Sequence, residues 1–570
     1  MNRNQSDVDL NTQRPTLRYD SRTEAHSDST AARLDKRYDH DFPASDNPNK
    51  SSDRTDDGYV SSHKMAINSR FLRQGKSPTD ANRTVDVEYR HPLEKLLAQR
   101  WFQVLLGRLA RSRRSGKTMI EEIIESYANP QAPFWHRLKY WPFHIFIDRM
   151  RGSVPASVFR QRVGQHRSTI RGLVVTARSV EEFGLTVPQR FSVPLFAVWN
   201  FTNLCNLRCQ HCYQDSQHQR LADELTLEEK LDLVDQIGQQ YVPMIAFAGG
   251  EPTICKDLLP VLRRCQQYGM HTSVATHGGT LTPKLCGELA DAGVKYVEIS
   301  LDSVDPEKHD AFRGVPGMWR RTVAGMKNVV ATPGLRLGIA MCVHQGNYDE
   351  VEDMLRFAVE IGAGCFAHFN FIPVGRGLEM TKQDLSPRQR EHLFEIFNRW
   401  MQSKKIGVIS TAPQLGRVCM VASPIEGPQA CSHAGVGGGE KARVVAKYLG
   451  ACGAGRTYVC IEPNGDITPC VYLPHRILGN IRNRRYVDIV RDNEFWDILC
   501  DRQRRTGHCE VCEFKNYCGG CRARADAYFG QLNASDPGCI FNEKHWEALV
   551  AQGLAQHREI ETALSESVNP

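Results

Sequence analysis

Cys205, Cys209 and Cys212, in the run CNLRCQHC, are the densest concentration of reactive side chains in the sequence. Thiols at i, i+4 and i+7, in a loop after the apolar stretch PLFAVWNF (Pro194 to Phe201), can converge on one point, and thiolates select zinc or iron–sulfur iron over hard cations. A closed structural zinc site takes four protein ligands. Three cysteines with no nearby fourth therefore point to a centre with one position open for another group, and His211, held between two of the thiols, is awkwardly placed to fill it. The plainer alternative is three reduced cysteines packed as small hydrophobes. A second constellation follows far downstream: CGAGRTYVCIEPNGDITPC from Cys452 to Cys470, CEVCEFKNYCGGC from Cys509 to Cys521, and then Cys539. Its two C-x2-C pairs also admit a zinc ribbon.

The C-x3-C-x2-C spacing, GGEP at Gly249 to Pro252 and the strand VEISLDS at Val297 to Ser303 together resemble the radical S-adenosylmethionine (SAM) enzymes. The resemblance implies that Cys205, Cys209 and Cys212 hold three irons of a [4Fe-4S] cluster whose fourth iron chelates SAM. One electron would then cleave SAM, and the resulting 5′-deoxyadenosyl radical would take a hydrogen atom from the substrate. It also implies SAM contacts from Gly249, Gly250, Glu251, Pro252, Thr276, Ser300 and Asp302; no catalytic side chain is singled out.

The seven C-terminal cysteines resemble the SPASM extension of these enzymes, with two residues rather than three between Cys518 and Cys521. By that pattern Cys509, Cys512, Cys518 and Cys539 hold a distal auxiliary cluster, and Cys452, Cys470 and Cys521 a nearer one. The fourth ligand of the nearer cluster is left open among Cys460, an aspartate, water and the substrate. The run from Cys518 to Cys539 and FNFIPVGRG (Phe369 to Gly377) look most like the branch that trims iron tetrapyrroles in haem and haem d1 synthesis. The alternatives are a peptide-modifying maturase of the sulfatase or ribosomal-peptide type, a lipid-modifying radical enzyme, and an iron–sulfur electron carrier without SAM chemistry. GGEP and the S-x-D strand end argue against the carrier. The partners implied are a small-molecule or peptide substrate and an electron donor such as flavodoxin or ferredoxin.

The elements that must position these residues are legible as alternating patterns. Between 193 and 404, six short apolar runs alternate with helical ones, as in βα units around a parallel sheet; the resemblance makes this an α/β partial (β/α)6 TIM-like barrel. Chemistry in such barrels lies at the C-terminal strand ends, and the motifs obey that rule. Ser300 and Asp302 alternate with Ile299 and Leu301, so both should face the mouth. Thr226 and Glu229 have capping-box spacing before a helix. Arg376, in VGRG after the sixth strand, is expected either to meet a substrate carboxylate or to be solvated.

Residues 1–84 have the polar composition of a disordered tail. Residues 85–192 form a helical cap, with Leu96, Leu97, Phe102, Leu105, Leu106 and Leu109 on one apolar face. SGKT (Ser115 to Thr118) lacks the first glycine of a phosphate loop and follows a helix rather than a strand. HRLKYWPFHIFIDRMRG (His136 to Gly152) suits either a membrane surface or packing against the next domain, and packing is the expected reading. Residues 405–448 read as a Gly- and Pro-rich connecting loop, 449–545 as the SPASM domain, and 546–570 as a helix and tail. With 570 residues, several folded units are expected. A net charge of +7 makes no case for nucleic acid. Nineteen cysteines without an apolar N-terminal segment predict a reducing, cytoplasmic setting in which clustered thiols mean metal. No apolar run is long enough to span a membrane.

Overall fold

The six apolar runs pair side by side in chain order. In the computed structural model they form β1 (Phe196–Asn200), β2 (Met244–Ala248), β3 (His271–Thr276), β4 (Val294–Ser300), β5 (Arg336–Val343) and β6 (Cys365–Asn370), all parallel. The structure describes residues 91–553 apart from 115, 130, 152–154, 423–427, 432–433, 439 and 493–494. The expected disordered tail at 1–84 and most of the C-terminal tail lie outside the described residues. Helices such as Leu227–Gln239 cover the outer face, that one started by the Thr226–Glu229 capping box. The result is the partial (β/α)6 barrel, an α/β architecture.

The sheet is wider than six strands. β7 (Gly407–Ser410) adds in parallel beyond β6, and β10 (Tyr458–Ile461) in parallel beyond β1, followed by antiparallel β11 (Asp466–Thr468) and β12 (Gly479–Asn480). The strands of the Cys-rich region thus continue the barrel sheet, with Phe196 opposite Tyr458 and Trp199 opposite Ile461. Residues 405–448, expected as a connecting loop, instead hold β7, the helices Gln414–Ala422 and Glu440–Leu449, and the hairpin β8 (Pro428–Cys431) and β9 (Ala434–Gly438). Their glycines and prolines punctuate short elements rather than prevent them.

A buried ion cluster ties the C-terminal region to the barrel. The Asp384 carboxylate accepts from Arg390 Nη2 at 2.6 Å, from Tyr528 Oη at 2.9 Å and from Arg524 Nη1. Arg524 Nη2 also donates to Asn370 Oδ1, at the end of β6, and to the Phe371 carbonyl, both at or below 2.7 Å. Arg524 and Tyr528 belong to the Cys-rich region's helix Arg522–Phe529, which is buried throughout.

The helical region packs beside the barrel. The apolar positions from Leu96 to Leu109 are divided between two helices, Pro92–Leu97 and Arg100–Ala110. Arg171, buried in the helix Arg167–Phe183, donates to the carbonyls of Gly238, Val242 and Tyr268 on the barrel. The SGKT run has a structural role: Thr118 and Glu121 form the capping box of Met119–Ala128, and Lys117 pairs with Glu125 at 2.8 Å.

Asp384→Ala removes the carboxylate shared by two buried guanidinium groups, leaving Arg524 with Asp536 at 3.7 Å, so it should cost roughly 3–5 kcal/mol in anaerobic denaturant unfolding. A loss near that of a surface pair, about 0–1 kcal/mol, would show that this cluster does not hold the two regions together.

Candidate functional site

The cysteine loop leaves β1 at Asn200 and is clamped by three other strand ends. After β2, Gly250 N–H donates to the Thr202 carbonyl and Glu251 N–H to the Leu204 carbonyl, both at 2.8 Å. Gly249 has φ +110°, and a Cβ there would lie 2.8 Å from the Thr202 carbonyl oxygen; a Cβ on Gly250 would collide with that of Leu204. The close approach these two glycines allow is to the chain's own segment leading into the cysteines. After β6, Gly375 has φ +58° and packs on the Cys212 carbonyl. Arg376, largely buried, turns back onto the cysteine loop. It donates to the Cys209 carbonyl at 2.9 Å, to Asp215 Oδ1 at 2.7 Å and to the Ser216 carbonyl at 2.9 Å. After β4, Arg313 Nε donates to Asp302 Oδ2 at 2.7 Å while its Nη1 reaches Cys209 Sγ at 3.6 Å.

The structure brings the three thiols into one group. Cys205 and Cys209 are buried and Cys212 half-buried, packed against Leu207, Val315 and Met318. Leu207 N–H donates to Cys205 Sγ at 3.4 Å and Ser216 N–H to Cys212 Sγ at 3.5 Å. Burial pushes the Cys205 thiol up to about 12 and raises that of Cys209, which the guanidinium of Arg313 counteracts. His211 stacks flat on Phe312, ring centroids 4.4 Å apart, and burial pushes it down to about 3.

The remaining candidate SAM residues fall into two sets. Glu251 is fully buried and accepts from Thr253 N–H, Thr253 Oγ1, Thr276 Oγ1 and His277 N–H, between 2.5 and 3.1 Å. Asp302 is buried against Arg313 and also accepts from Cys342 N–H at 3.0 Å, which occupies the carboxylate expected at the open mouth. Thr276, Glu251 and Asp302 therefore brace the strand ends. Pro252 opens a short 3-10 turn after Glu251. Ser300, half-buried at the end of β4, makes no side-chain hydrogen bond among the described residues.

The downstream cysteines fall in two places. Cys509, Cys512, Cys518 and Cys539 line one cavity with Arg417, His508 and Lys515. Gly520 N–H donates to Cys518 Sγ at 3.4 Å, and Asn542 Nδ2 to Cys509 Sγ at 3.7 Å. Cys452, Cys470 and Cys521 share another core, where Tyr458 Oη donates to Cys470 Sγ at 2.6 Å and Cys521 N–H to Asp536 Oδ2 at 2.7 Å. Cys460, left open as a fourth ligand, turns its thiol to Glu462 Oε1 at 3.3 Å. All cysteines among the described side chains are free thiols. Soft donors spread around a cavity, with backbone N–H groups aimed at sulfur, suit an iron–sulfur cluster, in which each iron takes its own thiolate, better than one zinc ion with four sulfurs at about 2.3 Å.

Several residues inside the barrel escaped the sequence reading. Tyr213, next to Cys212, and Tyr472, two residues after Cys470, meet edge to face with centroids 5.4 Å apart. Tyr213 Oη donates to Asn200 Oδ1 at 2.8 Å, and Asn200 Nδ2 to Glu462 Oε2 at 2.9 Å. Tyr472 lies within electrostatic reach of Cys342, Cys470, Cys521 and Glu298. Glu298 shares the inner face of β4 with Tyr296 and Ser300, opposite the buried Val297 and Ile299. Tyr296 Oη donates to Glu298 Oε2 at 3.2 Å, and Gly338 on β5 leaves room for that phenol. Burial, with no cation beside it, pushes the Glu298 carboxyl up to about 7. The polar alternation of VEIS was visible, but nothing in one sequence separates an inner carboxylate from a solvated one.

The model of the Radical SAM superfamily matches residues 199–358, and that of the SPASM iron-sulfur cluster-binding domain residues 452–513. An "AdoMet-dependent heme synthase" of Methanosarcina barkeri is 31% identical over 351 residues, covering 61% of this chain and 97% of that protein. A "Mycofactocin maturase MftC" of Mycolicibacterium smegmatis is 28% identical over 370 residues, covering 64% and 86%. The crystal structure of Streptococcus suis SuiB bound to its precursor peptide SuiA superposes with a TM-score of 0.51 at 16% identity, covering 66% of this chain and 81% of that one, a likeness of fold.

Because the Glu298 carboxyl sits at about 7 in the folded chain and near 4.5 unfolded, ionising it opposes folding increasingly as pH rises through that interval. Glu298→Gln should therefore be more stable than the parent by roughly 1–3 kcal/mol at pH 8, the gap narrowing toward pH 5. A pH-independent difference in thermal unfolding would place this carboxyl in an ordinary solvated setting.

Proposed function

This chain belongs to the radical SAM superfamily and carries the SPASM iron–sulfur domain; from that premise we propose that it removes carboxyl-bearing side-chain portions from an iron tetrapyrrole of the haem or haem d1 type. It is an enzyme, and its cofactors are a [4Fe-4S] cluster, SAM and auxiliary iron–sulfur clusters. On this reading Cys205, Cys209 and Cys212 hold the SAM cluster; Cys452, Cys470 and Cys521 the nearer auxiliary cluster; and Cys509, Cys512, Cys518 and Cys539 the distal one. When bound, the SAM cluster supplies the hard step, reductive cleavage of SAM to an organic radical that takes hydrogen from the substrate.

The observation behind placing substrate between the cysteine groups is the edge-to-face contact of Tyr213, next to Cys212, with Tyr472, two residues after Cys470. The polypeptide's own part is positional. Arg313 and Arg376 fix the cysteine loop, Glu251 braces the ends of β2 and β3, and the apolar helices outside the barrel exclude water. Glu298 Oε2 can hold or release a proton near neutral pH inside the barrel. The substrate class draws its support from the haem-synthase relative, which is spanned almost whole. A relative that bears the name of a peptide maturase makes peptide modification the other outcome of the test.

With anaerobically reconstituted protein, dithionite and SAM, iron coproporphyrin should lose carboxyl mass while 5′-deoxyadenosine accumulates. Cys209→Ala should abolish 5′-deoxyadenosine formation, and Cys512→Ala should preserve it while stopping substrate turnover. SAM cleavage that survives Cys209→Ala would refute the assignment of the SAM cluster. Cleavage with no change in any iron porphyrin, but with modification of a peptide, would refute the substrate class alone.

A further inference from the structure

The helical region precedes both family-model matches, and it shows a face that the barrel does not cover. The aromatic–basic segment, expected to pack against the next domain, buries Tyr140 and packs Phe143 inward but turns Trp141 and Phe146 outward, as Phe134 and Trp135 just before it are turned. Phe134 is 69% exposed, Trp135 77% and Trp141 60%, joined by Leu138, Ile145 and Phe146. Phe146 contacts Phe102 on the neighbouring helix Arg100–Ala110, and Phe102 contacts Trp101, itself 62% exposed. The patch therefore runs over three helices, Phe134–Lys139, Trp141–Arg151 and Arg100–Ala110.

Helical spacing pairs each exposed tryptophan with an exposed basic residue on its own face: Trp135 with Lys139 four positions on, Trp141 with Ile145 and Arg149 at four and eight, Trp101 with Arg108 at seven. The one acidic residue between Phe134 and Arg149 is Asp148, whose Oδ1 takes the Tyr127 hydroxyl at 2.5 Å. Three indole rings with lysine and arginine beside them meet both zones of an anionic bilayer surface: rings suit the boundary between headgroup and acyl chain, and ammonium and guanidinium groups reach the phosphates above. No helix of the described residues is long and apolar enough to cross a membrane, so such contact would lie along the surface.

We propose that this face, centred on Trp135 and Trp141, docks the protein peripherally on anionic lipid bilayers. The inference is independent of the substrate proposed above. The full-length, cluster-loaded protein should co-sediment with phosphatidylcholine vesicles that contain phosphatidylglycerol and much less with phosphatidylcholine alone, and brominated acyl chains should quench its tryptophan fluorescence. Trp135→Ala with Trp141→Ala should weaken partitioning roughly tenfold per ring. Lys139→Glu with Arg149→Glu should weaken it at least about fivefold per charge on anionic vesicles only. Absence of binding and quenching by the unmodified protein would overturn the proposal. So would unaltered binding by both variants with unchanged cluster absorbance, or light scattering showing that the face instead pairs two copies of the chain.

Discussion

A loop carrying three buried thiols must be held by something other than the thiols, because burial alone opposes the thiolate form that a metal needs. Here the restraint is a pair of guanidinium groups. Arg376 ties the carbonyls of Cys209 and Ser216 to the end of β6; Arg313, anchored on Asp302, supplies positive charge at Cys209 Sγ. The glycines of GGEP and VGRG follow from the same requirement, since only backbone without a Cβ can press against the loop from β2 and β6. Motifs that look like separate contributions to ligand binding are, in this fold, one mechanical assembly around the cysteines.

The second requirement is that the Cys-rich region face the barrel in a fixed orientation. Two unlike devices provide it. β10 extends the sheet from β1, which sets register by backbone hydrogen bonds; the Asp384–Arg390–Arg524 cluster locks the far side through buried charge. Backbone pairing is tolerant of side chains, whereas a buried ion cluster is unforgiving of any lost partner. Together they bring Tyr472 against Tyr213, so the ring contact is a consequence of docking rather than its cause.

How far the sequence could be read depended on whether a signal was local. Cysteine spacing, the strands flanking GGEP and the capping box at Thr226 are short-range patterns, and each element lies where its pattern predicts. The parallel pairing of β10 with β1 joins residues about 260 positions apart, and no local pattern encodes it. Arg376 and Asp302 were legible as polar residues at strand ends, but their partners, Cys209 and Arg313, are set by tertiary packing. Residues 405–448 hold strands and helices that composition does not reveal, because glycine and proline frequency measures turns, not the absence of elements between them. The exposure of Phe134, Trp135, Trp141 and Phe146 is the opposite case: hydrophobic residues are usually inside, but the rule predicts nothing about one helix face that no element among the described residues covers.

The charge arrangement constrains how a polycarboxylate could be recognised. The basic composition invites the idea that arginines greet such a substrate, yet Arg313, Arg376, Arg390 and Arg524 are all committed to carboxylates and carbonyls of the chain itself. Redirecting any of them would expose a buried partner at a cost of several kcal/mol. What remains toward the barrel interior is largely neutral: the phenols of Tyr296 and Tyr472, and a Glu298 carboxyl that keeps its proton up to about pH 7. Neutral donors can hydrogen-bond a carboxylate or carbonyl without the desolvation that a buried unpaired cation would incur. Recognition inside the barrel would therefore be set by shape and hydrogen-bond geometry rather than by net charge. As pH rises through the Glu298 transition, that carboxyl becomes an anion inside the barrel.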